Sequence, residues 1–142
     1  MMKTATKPAA AAALIPDGAR LLVGGFMGVG SPHRLIDAIV ARGTRGLTLI
    51  CNDAALPGVG VGKLISAKAV THIIASHIGL NPEAQAQMVS GELKVDLVPQ
   101  GTLVERIRAG GVGLGGILTK TGLGTLVEEG KQIIEVGGER YI

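Results

Sequence analysis

Four glycines within seven residues, Gly24, Gly25, Gly28 and Gly30, are the residues of this sequence whose type and spacing best suit chemistry. A turn signal, Asp17-Gly18, and a short apolar run, Leu21-Leu22-Val23, precede them. Ser31-Pro32 follows, read as an N-cap and a proline at the first helical position. Strand, glycine loop and helix start together predict an anion-binding crevice. Glycines let the backbone approach a ligand closely and take positive φ. The free N–H groups at a helix start favour phosphate or carboxylate. The spacing is neither G-x-x-x-x-G-K-[ST] nor a good G-x-G-x-x-G, so it specifies neither a mononucleotide nor a dinucleotide. A tight βα turn without a ligand is the alternative reading.

Reactive groups are harder to find. Of the three histidines, His33 falls near a helix start and is solvated, and His72 falls within a strand, packed or hydrogen-bonded. His77, at a strand's carboxyl end, alone reaches the crevice. No Cys, His, Asp and Glu spacing fits a metal site. Ser31 and Ser76 have no base partner, and Glu83, Glu92, Glu105, Glu128, Glu129, Glu135 and Glu139 read as solvated carboxylates. Asn52, Gln100 and the glycine-loop amides are donors that polarise a carbonyl without reacting. Each such donor aimed at a developing oxyanion is worth roughly 3 kcal/mol. The prediction is a binding half-site without a nucleophile, base or metal of its own.

The elements that position these residues alternate. Ser31–Arg42 reads as a helix with Leu35, Ile36, Ile39 and Val40 on one face and Gly43 as its stop. Leu47–Cys51 is a buried strand ending at Asn52-Asp53, and Lys63–Ala67 a short helix. Val70–Ser76 is a third strand. Asn81-Pro82-Glu83 starts a helix that stops at Gly91. Val95–Val98 is a fourth strand. Pro99-Gln100-Gly101 breaks the chain before a helix over Thr102–Ala109, with Leu103, Val104 and Ile107 inward. Seven glycines between Gly110 and Gly124 exclude a regular element there, and Ile133–Tyr141 reads as a hairpin turning at Gly137-Gly138. Alternation of this kind predicts an α/β fold: an open, mostly parallel sheet with helices on both faces, ending in a β-hairpin. Ligands of such sheets gather at the strands' carboxyl ends. Gly24–Gly30, Asn52-Asp53, Ser76–Gly79 and Gln100-Gly101 are expected along that edge.

Composition sets the bounds. The 142 residues fit one domain, 1–142, and 46% hydrophobic with 18% charged residues is a globular balance. Aromatic residues are limited to Phe26 and Tyr141, so the core is Val, Ile, Leu and Ala. A net charge of +3 with scattered basic residues gives no support to nucleic-acid binding. No apolar run approaches the ~20 residues that span a membrane. The single Cys51 excludes an internal disulfide, fits a reducing, cytoplasmic compartment, and reads as a buried small hydrophobe. Residues 1–14 read as a flexible tail and short helix rather than a signal peptide.

The pattern Asp17-Gly18, Leu21-Leu22-Val23, Gly24-Gly25-Phe26, Gly30 and Pro32 resembles the signature of the family I (3-oxoacid) CoA-transferases. Leu47–Asp53, Ala75–Glu83, Ser90–Leu93, Val98–Gly111 and Thr121–Gly130 resemble the alpha subunit of the acetate/acetoacetate type, in the same order. The resemblance implies transfer of CoA from a short-chain acyl-CoA to a free acid. The route is ping-pong, through an acyl-glutamyl anhydride and a glutamyl-CoA thioester. It implies that the nucleophilic glutamate lies on a beta subunit in an α2β2 heteromer, so no residue here is catalytic in that sense. CoA is a substrate, and no permanent cofactor or metal is expected. Gly24, Gly25, Phe26, Met27, Gly28, Val29 and Gly30 match the CoA-contacting loop, and Asn52, Gln100 and Gly101 the substrate or oxyanion contacts. Alpha subunits of the family continue past the hairpin, so the sheet is expected to be incomplete at Ile142. A non-catalytic module binding CoA or another phosphorylated ligand, and a non-functional truncated fragment, are the alternative readings.

Overall fold

A computed structural model describes residues 5–142. The expected tail at the extreme N-terminus lies, for residues 1–4, outside them. The chain divides into two compact units, Met1–Leu97 and Val98–Ile142.

The first unit starts with a short helix α1, Pro8–Ala12, and then alternates: β1 Arg20–Val23, α2 His33–Arg42, β2 Leu47–Cys51, α3 Gly62–Ser66, β3 Val70–Ala75, α4 Pro82–Val89, β4 Lys94–Leu97. All three strand pairings are parallel, in the order β1-β2-β3-β4. Leu21, Leu49, Ile73 and Val95 are partners across the four strands and form one apolar row. This row joins Ile36 and Ile39 of α2, Leu64 and Ile65 of α3 and Ala84 of α4 in a single core.

That core gathers the helices of the first unit, α1 to α4, on one face of its sheet. Each strand pairs with the next in sequence, so right-handed crossovers deliver every helix of this unit to the same side. Accordingly α2 packs against α1 and α3, and α3 against α4. The opposite face carries the alternate residues, Arg20, Leu22, Thr48, Ile50, His72, Ile74, Lys94 and Asp96. His72 Nε2 lies 2.8 Å from Asp96 Oδ2 there, the hydrogen-bonded role expected of it.

Within the first unit the helix ends at Gly43 and Asn81 follow the local sequence, and the start of α2 does not. Gly43 closes α2 at φ 77°, and Asn81 caps α4 by accepting the Ala84 N–H at 3.1 Å. The exception is Ser31. Pro32 is the N-cap of α2, which begins at His33, and the Ser31 hydroxyl instead donates to the Gly24 carbonyl. The Asp17-Gly18 turn is tied to the start of β2: the Arg45 N–H donates to Asp17 Oδ1 at 2.8 Å, and the Gly18 N–H to the Arg45 carbonyl at 2.9 Å.

The second unit holds α5, Gln100–Gly111, a 3-10 turn at Leu126–Glu128, and an antiparallel hairpin, β5 Ile134–Val136 and β6 Glu139–Tyr141. Gly137 and Gly138, at φ 60° and 77°, make the predicted two-residue turn. Two expectations for α5 are corrected. Gln100 and Gly101 are its first residues rather than a break, because Pro99 serves as the N-cap. Leu103 is buried as expected, but Val104 and Ile107 stand 48% and 44% exposed, and Ala109 completes the buried stripe in their place. The helix also runs on through Gly110 and Gly111, which were expected in the irregular stretch; from Val112 to Gly124 no helix or strand forms.

Candidate functional site

The glycine loop leaves β1 at Val23 and turns back on itself at once. The Phe26 N–H donates to the Val29 carbonyl at 3.0 Å and the Val29 N–H to the Phe26 carbonyl at 2.9 Å. Met27 and Gly28, between them, have φ 51° and 87°. This is a two-residue hairpin with both central residues left-handed, a turn that glycine and asparagine favour and methionine does not. Phe26 and Val29 stand 58% and 78% exposed on it.

What holds Met27 there comes from the next loop. Asp53, 3% exposed, lies just past β2. Its Oδ2 accepts the Met27 N–H at 2.8 Å, and its Oδ1 accepts the Ala55 N–H at 2.9 Å. Ala55 is left-handed too, at φ 52°. A left-handed non-glycine residue costs about 1–2 kcal/mol. A hydrogen bond to a charged acceptor contributes about 1.5–3 kcal/mol. The carboxylate therefore offsets the strain of both residues. Sequence reading placed Asp53 at the edge and missed this role; an acid next to the buried end of an apolar strand was the available signal.

A third loop joins them. The Ala54 N–H donates to the His77 carbonyl at 3.2 Å, and the fully buried Asn81 donates from Nδ2 to the Ala54 carbonyl at 2.9 Å. Glycines close the contact between loops. A Cβ on Gly28 would strike Val59 Cγ1, and one on Gly60 would lie 2.8 Å from Gly28 Cα. A Cβ on Gly25 would strike the Ser31 hydroxyl. Gly24 alone of these meets nothing within 4 Å and needs no positive φ.

The loop's amides sort into two sets. Those of Phe26, Met27, Val29 and Ser31 are all bonded internally. Those of Gly24, Gly25, Gly28 and Gly30 have no acceptor among the described residues. The loop amides left free to donate thus fall on the four glycines.

The other candidates are distributed as follows. Asn52 is half-buried, its carbonyl accepting both the N–H and the hydroxyl of Ser76, at 3.0 and 2.7 Å. Its side-chain amide makes no hydrogen bond among the described residues. His77 is exposed at the edge, and His33 is exposed as the first residue of α2. Cys51 is buried and donates to the Asp53 carbonyl at 3.1 Å. Burial, and secondarily the Asp53 charge, push its thiol up to about 12, so it is a packed residue and not a nucleophile. Gln100 and Gly101 belong to the second unit, both exposed. Gly101 lines a depression of about 490 Å³ there with Thr102, Glu105, Arg108 and Leu118, and the buried Thr102 hydroxyl has no partner among the described residues. Glu105 is engaged by Arg108 at 2.7 Å. Among the described residues no group of three His, Cys, Asp or Glu side chains gathers to hold a metal ion, and no helix is long and apolar enough to cross a membrane.

This chain belongs to the coenzyme A transferase family, whose model matches residues 5–142. It is 56% identical over 126 residues to the acetate CoA-transferase subunit alpha of Escherichia coli (strain K12), covering 89% of this chain and 57% of that one. It is 44% identical over 142 residues to the corresponding subunit of a probable succinyl-CoA:3-ketoacid coenzyme A transferase of Bacillus subtilis (strain 168), covering 100% of this chain and 60% of that one. The chain thus spans a little under two thirds of the relatives it matches. Among solved structures, a variant of the decarboxylase AibA/AibB superposes with a TM-score of 0.77 at 27% identity, over 96% of this chain and 55% of that one.

Proposed function

We propose that this chain is the CoA-binding part of the alpha subunit of a CoA-transferase, one that moves CoA between a short-chain acyl-CoA and acetate or acetoacetate. The observation that carries the substrate class is the 56% identity to an acetate CoA-transferase alpha subunit, against 44% to the succinyl-CoA relative. The glycine loop supports the binding role, since four unpaired amides on a fixed turn suit an anionic ligand.

In this reading the loop Gly24–Gly30 contacts CoA; Asn52 in the first unit and, separately, Gln100 and Gly101 in the second are the candidate contacts for the carboxylate or the developing oxyanion. The nucleophilic glutamate comes from a beta subunit in an α2β2 complex. CoA comes and goes as a substrate, and no resident cofactor takes part.

The test is CoA transfer by the full-length subunit purified with its beta partner. Acetoacetyl-CoA is offered with acetate or with succinate as acceptor. Transfer to acetate with kcat/KM at least about tenfold above succinate is expected, the ~1.4 kcal/mol that one well-placed pocket contact supplies. The solved decarboxylase neighbour shares the fold, and a fold does not fix its chemistry. With an acyl-CoA that carries a free carboxylate offered instead, release of carbon dioxide without CoA transfer would replace transfer by decarboxylation. CoA binding with neither reaction would leave a binding module.

A further inference from the structure

We propose that Asp53 is the positioning residue of the glycine loop. Its buried carboxylate fixes the turn at Met27-Gly28 and so keeps the four glycine amides presented to the anionic acyl-CoA. The acyl-CoA part of this proposal rests on the functional reading above.

Three observations converge on Asp53. Its side chain is buried, and each oxygen accepts one backbone N–H, from Met27 and from Ala55. Those two donors are among three non-glycine residues at positive φ in the described chain. The peptide plane between Phe26 and Met27 is pinned at both ends: its carbonyl accepts the Val29 N–H at the hairpin neck, and its N–H, which no bond within the hairpin reaches, donates to Asp53. A flip of that plane re-aims the neighbouring amides, and it strands a buried carboxylate oxygen without its donor. The carboxylate therefore adds its bond to that of the neck in favouring one orientation of the tip. Asp53 touches no reacting atom in this account; it acts through the loop. An Asn at position 53 offers one acceptor oxygen to two N–H donors and sets its own amide against the second.

The experiment compares wild type with Asp53→Asn in the full-length subunit purified with its beta partner. In the variant, hydrogen exchange over residues 24–31 is expected to speed up about tenfold, the loss of one charge-assisted hydrogen bond. KM for acyl-CoA is expected to rise by a similar factor. KM for the carboxylate acceptor and kcat stay within about twofold, since ground-state and transition-state contacts with CoA weaken together. Ile39→Val, a core change in α2 that lowers stability generally, moves neither readout. Unchanged exchange over 24–31, or a parallel rise in both KM values with a falling kcat, overturns the proposal. If Asp53→Asn does not fold, wild type still decides: the Met27 amide must exchange more slowly than those of Gly24, Gly25, Gly28 and Gly30, and equal rates sink the idea. A wild-type complex that transfers no CoA while Met27 stays protected overturns the functional reading, and the exchange comparison still judges the latch.

Discussion

Gly24 differs from the glycines after it in what it asks of the fold. Gly25 and Gly28 need their left-handed φ and the space that a Cβ would fill, whereas Gly24 needs neither. Gly28→Ala is therefore expected to cost about 2 kcal/mol, from the strained φ and the clash with Val59. Gly24→Ala is expected to stay within ~0.5 kcal/mol of wild type. If the loop binds CoA as proposed, the same Gly24→Ala change raises KM for acyl-CoA, because its methyl enters the space left for a ligand. Denaturant melting beside steady-state kinetics separates the two residues. Cys51 makes a second case. With its thiol pushed up to about 12 from 9.0, it is expected to resist alkylation in the native subunit at pH 8 and to react promptly in denaturant. The linkage has a definite sign. The folded-state value is raised, so the stability Cys51 contributes is fully present below pH 9.0 and is lost as pH climbs toward about 12. An unfolding series across that alkaline window checks it.

The loops at the carboxyl edge are held by two buried polar side chains, Asp53 and Asn81. Asn81 caps α4 through its carbonyl and satisfies the Ala54 carbonyl through its amide. Asn81→Ala removes a cap worth ~1 kcal/mol and strands a buried carbonyl costing ~1–3 kcal/mol. A loss of about 2–3 kcal/mol in chemical denaturation is expected, and a loss below ~1 kcal/mol would mean that water replaces the amide. Much of this was legible in the sequence. Asn81-Pro82, Gly43 and Gly137-Gly138 act locally, through caps and turns that two or three residues specify. The role of Asp53 was not legible, because its partner lies 26 residues away and is a methionine in a conformation methionine rarely takes. Neither was the gathering of α1 to α4 on one side of the sheet, because strand periodicity fixes which residues share a face but not the order of the strands. Val104 and Ile107 misled for a related reason: an apolar side chain on a helix marks a face only once a neighbour claims it.

Across the whole chain, order is uneven. Residues 112–125 of the second unit form no helix or strand, and Val112, Leu114 and Leu118 stand 63%, 53% and 48% exposed. Both Lys120 and Lys63 are ion-paired, to Glu139 and to Asp37. Lys120 sits in irregular backbone and Lys63 in α3, so limited proteolysis by a lysine-specific enzyme is expected to cut at Lys120 ahead of Lys63. First cleavage at Lys63 would show instead that α3 opens before the glycine-rich stretch is reached. The sequential strand order of the first unit bears on how the protein is made. Leu21, Leu49, Ile73 and Val95 are cross-strand neighbours, each only about two dozen residues beyond the last, so every pairing closes a loop of modest length. No strand has to wait for a distant one to be inserted beside it. As the chain leaves the ribosome, each new strand meets an edge already formed, and the sheet can be laid down in the order in which it is translated.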